Sequence, residues 1–268
     1  MIYISGDSFA TGEELNDNRF TTYPGDGWLL DHKPWKEWHK QRTKELIAAY
    51  GSYHKYIEKC KDDSWGSMVS NHYGMPYVNT AISGASMMTI LVNTQNSLTA
   101  LKNQNIKVEK AFIMLTSPYR ISVFKNEGES YNPETSIETL CPTFTDLPCS
   151  QSGLTYMKSW VAAEDENAML SRWMMHFNAI RHAVIALAGI EPIFLDSQFV
   201  EQNELHNMEG RMTTPVAKEL WRSVEPYFPD VLNRMSTFNG NDPRMPLGHY
   251  GWATHNRFAK SLALRYPK

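Results

Sequence analysis

Gly6-Asp7-Ser8 stands directly after the short β-type run Ile2 to Ser5, and two histidines, His249 and His255, stand near the other end of the chain. A serine hydroxyl is a weak nucleophile until an imidazole removes its proton, so a hydrolytic serine needs a histidine close in space, though not in sequence. Acyl transfer then concentrates negative charge on one oxygen, which donors such as backbone N–H groups must meet. Ser8 is the candidate nucleophile and His249, in a Pro/Gly-rich loop, the candidate base. Gly84 is the candidate oxyanion donor beside the Ser8 amide, because a residue without a side chain lets its N–H approach that oxygen. These residues also have plainer uses. Asp7 or Ser8 can cap backbone N–H groups at a strand-to-helix turn, Gly84 can serve a turn, and His255, inside a helical pattern, reads as a packing or capping residue.

The elements that must position these groups alternate along the chain. Ile2 to Ser5 is a first strand that delivers polar residues at its C-terminal end, where open α/β sheets hold their chemistry. A helix-like stretch from Ser64 to Tyr73 precedes a second strand over 76–81, and Ser83-Gly84-Ala85 opens a helical pattern that runs to about Asn103. The apolar run Lys110 to Leu115 is a third strand, ended by Thr116-Ser117-Pro118. Leu170, Trp173, Met174, Phe177, Ile180, Val184 and Leu187 keep helical spacing on one face, Gly189 closes that helix, and Pro192 to Asp196 supplies a fourth strand. Asp196 could reach the active edge or cap the segment that follows. A final helix spans about Gly251 to Arg265. Alternation of this kind implies parallel βαβ units with right-handed crossovers, and so a doubly wound sheet covered by helices.

Two stretches interrupt the alternation and read as insertions, at about 30–63 and 119–166, in a chain otherwise expected to form one α/β domain. The second is polar, carries Pro133, Pro142 and Pro148, and could shape a substrate site. The first includes His32 to Lys61, with eight Lys/Arg and three Glu interleaved with Trp35, Trp38, Tyr50, Tyr53 and Tyr56. A basic aromatic segment can hold a glycan, a polyanion or a nucleic-acid strand. Its plainer reading is an inserted helix that packs its aromatic side and solvates its lysines.

Composition excludes several classes. Of 268 residues 42% are apolar and 21% charged, as in a globular protein, and the net charge of −3 provides no field toward nucleic acid or an anionic membrane. No apolar run approaches the roughly 20 residues of a membrane span, so no membrane insertion is expected. The N-terminus has neither a basic nor a long apolar region, so synthesis for the cytoplasm is the expectation, which carriage on a particle such as a virion would also satisfy. Cys60, Cys141 and Cys149 are odd in number without CxxC spacing and read as reduced thiols. Gly6 to Gly12 lacks a P-loop ending, Gly25-Asp26-Gly27 lacks a dinucleotide fingerprint, and HExxH and GxSxG are absent, so neither a nucleotide cofactor nor a metal is expected.

Three blocks together resemble the SGNH (GDSL-like) hydrolases. They are Gly6-Asp7-Ser8-Phe9, then Val78 to Ser86 with Gly84, then His249-Tyr250-Gly251-Trp252-Ala253-Thr254-His255, in family order. The resemblance implies a flavodoxin-like three-layer α/β/α sandwich with a central parallel sheet, a Ser8–His249 pair, and Gly84 in the oxyanion hole. It implies small acyl esters, lipids or acetylated sugars as substrate class. Two positions depart from the family. Its third block, Gly-x-Asn-Asp, is replaced at the end of the third strand by Leu115-Thr116-Ser117-Pro118-Tyr119-Arg120; Thr116 or Ser117 could donate a hydroxyl instead, and Arg120 could add positive charge. The aspartate usual three residues before the histidine is Pro246 here, so the imidazole would be oriented by Asp242 or by a backbone carbonyl. Asp7 joins Gly84, Thr116, Ser117 and Arg120 as a candidate for oxyanion or substrate binding.

The expected activity is therefore ester hydrolysis by a Ser–His pair. The alternatives are a sandwich that has lost hydrolysis and serves in binding or structure, and polyanion binding through residues 32 to 61.

Overall fold

The computed structural model describes residues 1–13, 15, 32–124, 137–140, 155, 159, 165–197, 208–240 and 249–267. Strand β1 (Ile2–Ser5) is buried on both faces, which its position explains: it lies between β2 (Tyr77–Asn79) and β3 (Lys110–Leu115), with β6 (Ile193–Asp196) beyond β3. All three pairings are parallel, with Ile4 opposite both Asn79 and Phe112, and Leu115 opposite Asp196. Side chains alternate across a strand, and here the alternation divides the core. Tyr3, Ala111, Ile113 and Leu115 pack into one apolar layer, while Ile2, Ile4, Phe112 and Met114 pack into the other.

Helices α5 (Met87–Asn103), α6 (Glu166–Ala188) and α8 (Pro215–Val224) cover the Tyr3 face; α4 (Trp65–Tyr73) and α9 (Trp252–Arg265) cover the other. The result is a three-layer α/β/α sandwich around a parallel sheet of order β2-β1-β3-β6. In such a winding the chain leaves β1 toward one side for β2 and crosses to the other for β3. The crevice between the C-terminal ends of β1 and β3 is thus the switch point, where open α/β sheets bind ligands.

Local signals account for most boundaries. Asp165 caps α6 by accepting from the Ala168 N–H, and Gly189 ends it in the left-handed conformation. Helix α5 starts at Met87 rather than at Ser83: Gly84 has φ +76, the Ala85 N–H closes a turn onto the Ile82 carbonyl, and only at Ser86 does a side chain cap the Thr89 N–H. The loop holding Gly84 is consequently outside the helix.

The basic segment forms α2 (His32–Tyr50) and α3 (Tyr53–Asp63), packed around Leu46, Tyr56, Ile57 and Cys60, with Lys40, Lys44, Lys55 and Lys59 exposed. Within the second interruption, β4 (Ile121–Phe124) pairs antiparallel with β5 (Ile137–Leu140). Most of 141–164, including Cys141 and Cys149, lies outside the described residues. The described residues also include two single-turn helices, α1 (Ser8–Thr11) and α7 (Met208–Arg211).

Candidate active site

The turn from β1 into α1 aims the serine. Gly6 has φ +151, and a Cβ there would lie 2.6 Å from the Met114 Cβ, so the turn presses against β3 more closely than any side chain would allow. Asp7 is the N-cap of α1 and accepts from the Phe9 N–H at 3.1 Å. Ser8 is therefore the first helical residue, with its amide on the open end of the helix.

At the other end of the chain the backbone preceding α9 brings in the histidine. Ser8 Oγ lies 2.7 Å from His249 Nε2, and the two residues are only 4% and 8% exposed. With its proton on Nδ1, the imidazole accepts the Ser8 hydroxyl proton at Nε2. Phe9 packs its ring on the imidazole with centroids 4.8 Å apart and also touches Tyr250, whose hydroxyl donates to the Ser197 carbonyl. Thus α1 supplies both the hydroxyl and the apolar wall that holds the base against it.

Asp7, wholly buried, forms an ion pair with Arg120 on the β3 side. Burial pushes the Asp7 carboxyl above its usual range, against the opposing pull of the Arg120 charge and the Phe9 amide. Arg120 Nη1 also donates to the Thr116 hydroxyl at 2.9 Å and to the Ala85 carbonyl at 3.3 Å. Of the candidate oxyanion hydroxyls, Thr116 is thus engaged with Arg120 and faces Asp7, while Ser117 Oγ accepts from the Tyr119 N–H and braces the turn after β3. Gly84 is exposed, and a Cβ there would meet nothing within 4 Å, so its N–H lies on an open stretch of loop. Among the described residues nothing accepts from the Ser8 or Gly84 amide. Asp242 lies outside the described residues. Asp196 is fully buried at the end of β6, where its backbone bridges to Arg234.

His255 stands behind the site. Its Nδ1 accepts the Trp65 N–H at 3.1 Å, satisfying the first amide of α4. Burial, followed by the proximity of His249, lowers its pKa from 6.5 to about 3, so it is neutral there.

A second polar cluster, centred on Glu13, adjoins the pair, and no motif in the sequence marks it. The Glu13 N–H donates to the Ser8 carbonyl, and its carboxylate accepts from the Tyr53 hydroxyl at 2.5 Å and from the Ser83 hydroxyl, with the Arg42 guanidinium 3.5 Å away. The contacts of the carboxylate all span tens of residues, so no local spacing announces them. A weak signal was present: an acidic residue follows Gly12 at once, on the polypeptide that leaves the nucleophile helix.

Among the described residues no group of three or more His, Cys, Asp or Glu side chains could hold a metal ion, and no helix is long and apolar enough to cross a membrane. No family model matches the sequence, and no curated protein matches it. Among solved structures, the chain is similar to one provisionally described as a lipolytic protein of G-D-S-L family from Desulfitobacterium hafniense DCB-2. Identity is 10% and the TM-score 0.43, over 98% of this chain and 97% of that one.

Proposed function

We propose that the chain is a serine hydrolase of ester bonds, with Ser8 as nucleophile and His249 as base and then acid. The observation that carries this reading is the 2.7 Å contact between Ser8 Oγ and His249 Nε2 at the C-terminal edge of the sheet. The distance is that of a nucleophile and base in productive contact.

The chemistry follows from the neighbours. Ser8 Oγ attacks the ester carbonyl carbon as its proton passes to His249 Nε2, and the carbonyl oxygen takes the negative charge. The N–H groups of Ser8 and Gly84 receive that oxygen, and the Thr116–Arg120 pair, joined to the Gly84 loop through the Ala85 carbonyl, holds the loop in place. His249 then returns the proton to the leaving alcohol oxygen, and an acyl group remains on Ser8. Water repeats the sequence and frees the acid. None of these steps uses a metal or nucleotide. The acyl ester of a carbohydrate, a small alcohol or a lipid satisfies this chemistry equally, and the exposed lysines of α2 and α3, helices that reach the site through Arg42 and Tyr53, favour an extended polar substrate.

The test is labelling by a fluorophosphonate probe together with hydrolysis of p-nitrophenyl acetate, in wild type, Ser8→Ala and His249→Ala. Labelling lost in Ser8→Ala, with turnover reduced at least ~10³-fold in both variants, supports the reading. Folded wild type that neither labels nor hydrolyses overturns it in favour of a binding role for the same sandwich.

A further inference from the structure

Glu13 is a buried acid beside a Ser–His pair whose usual acid position, three residues before the histidine, is Pro246. Its backbone N–H is bonded to the Ser8 carbonyl at 3.1 Å, so the residue is one turn from the nucleophile and moves with it. Its two carboxylate oxygens are divided between separate parts of the fold. One accepts from Tyr53 on α3 and lies near Arg42 on α2; the other accepts from Ser83, the neighbour of Gly84. A carboxylate with this many donors is fixed in direction, and a buried one must be matched by positive charge.

We propose that Glu13 is a positioning residue for the Ser8–His249 pair: its carboxylate pins the Ser83–Gly84 loop to the nucleophile helix and presents the negative charge that offsets the imidazolium formed on His249. This rests on the hydrolase reading above. When Ser8 gives its proton to His249 Nε2, one positive charge appears on the ring, and Glu13 remains ionised to balance it. In this arrangement α2 and α3 are part of the site's frame, because Arg42 and Tyr53 hold the carboxylate from the outer side. Among the described residues, the other charged and titratable groups near the imidazole are Asp7, paired with Arg120, and His255 from α9, which is neutral. Burial alone would raise the Glu13 carboxyl, but the charges of His249 and Arg42 and the bonds from Ser83 and Tyr53 outweigh it and hold it below the usual carboxylate range.

The experiment is an NMR titration of the His249 ring in wild type and Glu13→Gln, assigned by loss of the signal in His249→Ala, alongside the pH profile of kcat/KM. Removing a neighbouring negative charge destabilises the imidazolium, so the ring's titration midpoint is expected to fall by about one pH unit, and the acid limb of the profile to move with it. A purely structural role would lower kcat or Tm without moving that midpoint. A second measurement needs no variant: in wild type labelled with ¹³C at glutamate side chains, the Glu13 carboxyl resonance should show an inflection at the His249 midpoint. An unmoved midpoint in folded Glu13→Gln, or a Glu13 carboxyl signal blind to the His249 titration, overturns the proposal. Failure of the hydrolase reading is seen separately, as a shifted His249 titration in a protein that neither labels nor hydrolyses.

Discussion

Asp7 Oδ2 and Arg120 Nη1 stand 3.0 Å apart across the crevice between β1 and β3, and this ion pair ties the nucleophile turn to the segment that follows the third strand. Asp7 is wholly buried and the Arg120 side chain 16% exposed, so little water is present to replace either partner. Breaking a buried pair from one side leaves an uncompensated charge, at a cost of about 3–5 kcal/mol.

Arg120→Gln should therefore be destabilised by an amount in that range, and Asp7→Asn combined with Arg120→Gln should lose less than the single arginine variant. Urea denaturation of the two singles and the double gives the coupling energy. Additive losses would mean that the pair contributes nothing beyond its separate contacts.

Two glycines of the site should respond differently to alanine. At Gly6 the new Cβ would meet Met114 Cβ at 2.6 Å and the Met114 carbonyl at 2.9 Å, so Gly6→Ala should unfold the protein or leave it with a Tm far below wild type. At Gly84 the space is open and only the left-handed conformation opposes the change, at about 1–2 kcal/mol. Gly84→Ala should fold, with lowered kcat as the loop shifts its N–H. Thermal unfolding of the two variants tests the contrast, and equal Tm losses would contradict it.

His255 makes stability depend on pH. Its folded pKa, about 3, lies below the unfolded value of 6.5, so the unfolded chain binds the extra proton first on acidification. The stabilisation is fully present above pH 6.5 and is lost as pH falls from there toward 3, at up to about 1.4 kcal/mol per pH unit. The cause is burial, followed by the proximity of His249, and the unprotonated Nδ1 is the acceptor of the Trp65 N–H. His255→Gln offers an acceptor that does not titrate, so its stability should fall less steeply than wild type between pH 6.5 and 4. Parallel slopes in chemical denaturation would remove His255 as the source.

Trp173 supports the end of β3 from the helical layer: its indole N–H donates to the Thr116 carbonyl at 2.9 Å in a buried setting. Trp173→Phe keeps most of the apolar area and leaves that carbonyl without the donor, so a loss of about 1–3 kcal/mol is expected in denaturant melts. A variant as stable as wild type would show that the bond contributes nothing net.

The elements of the sheet were legible because their signals are local. A short β-type run placed Ile2–Ser5 and a continuous apolar run placed Lys110–Leu115 as strands, helical spacing placed Leu170 to Leu187 on one face, and Gly189 ended that helix where a left-handed residue was needed. The start of α5 was misplaced by a few residues because Ser83 and Ser86 are equally good caps by type, and the backbone turn at Gly84 decides between them.

By itself the sequence determined the α/β alternation, the delivery of Ser8 at a strand end, and which residues could act as nucleophile, base and donor, since each of these depends on residue type and short-range spacing. Tertiary structure alone decided which groups meet. The bond between Ser8 and His249 joins residues 241 positions apart. Arg120 was considered for its charge, yet its partner Asp7 is set by the crossing of β1 and β3. Glu13 was invisible as a site residue because an acid on a loop is ordinarily solvated; here α2 and α3 bury it, and a buried carboxylate must gather Arg42, Tyr53 and Ser83 from wherever the fold brings them.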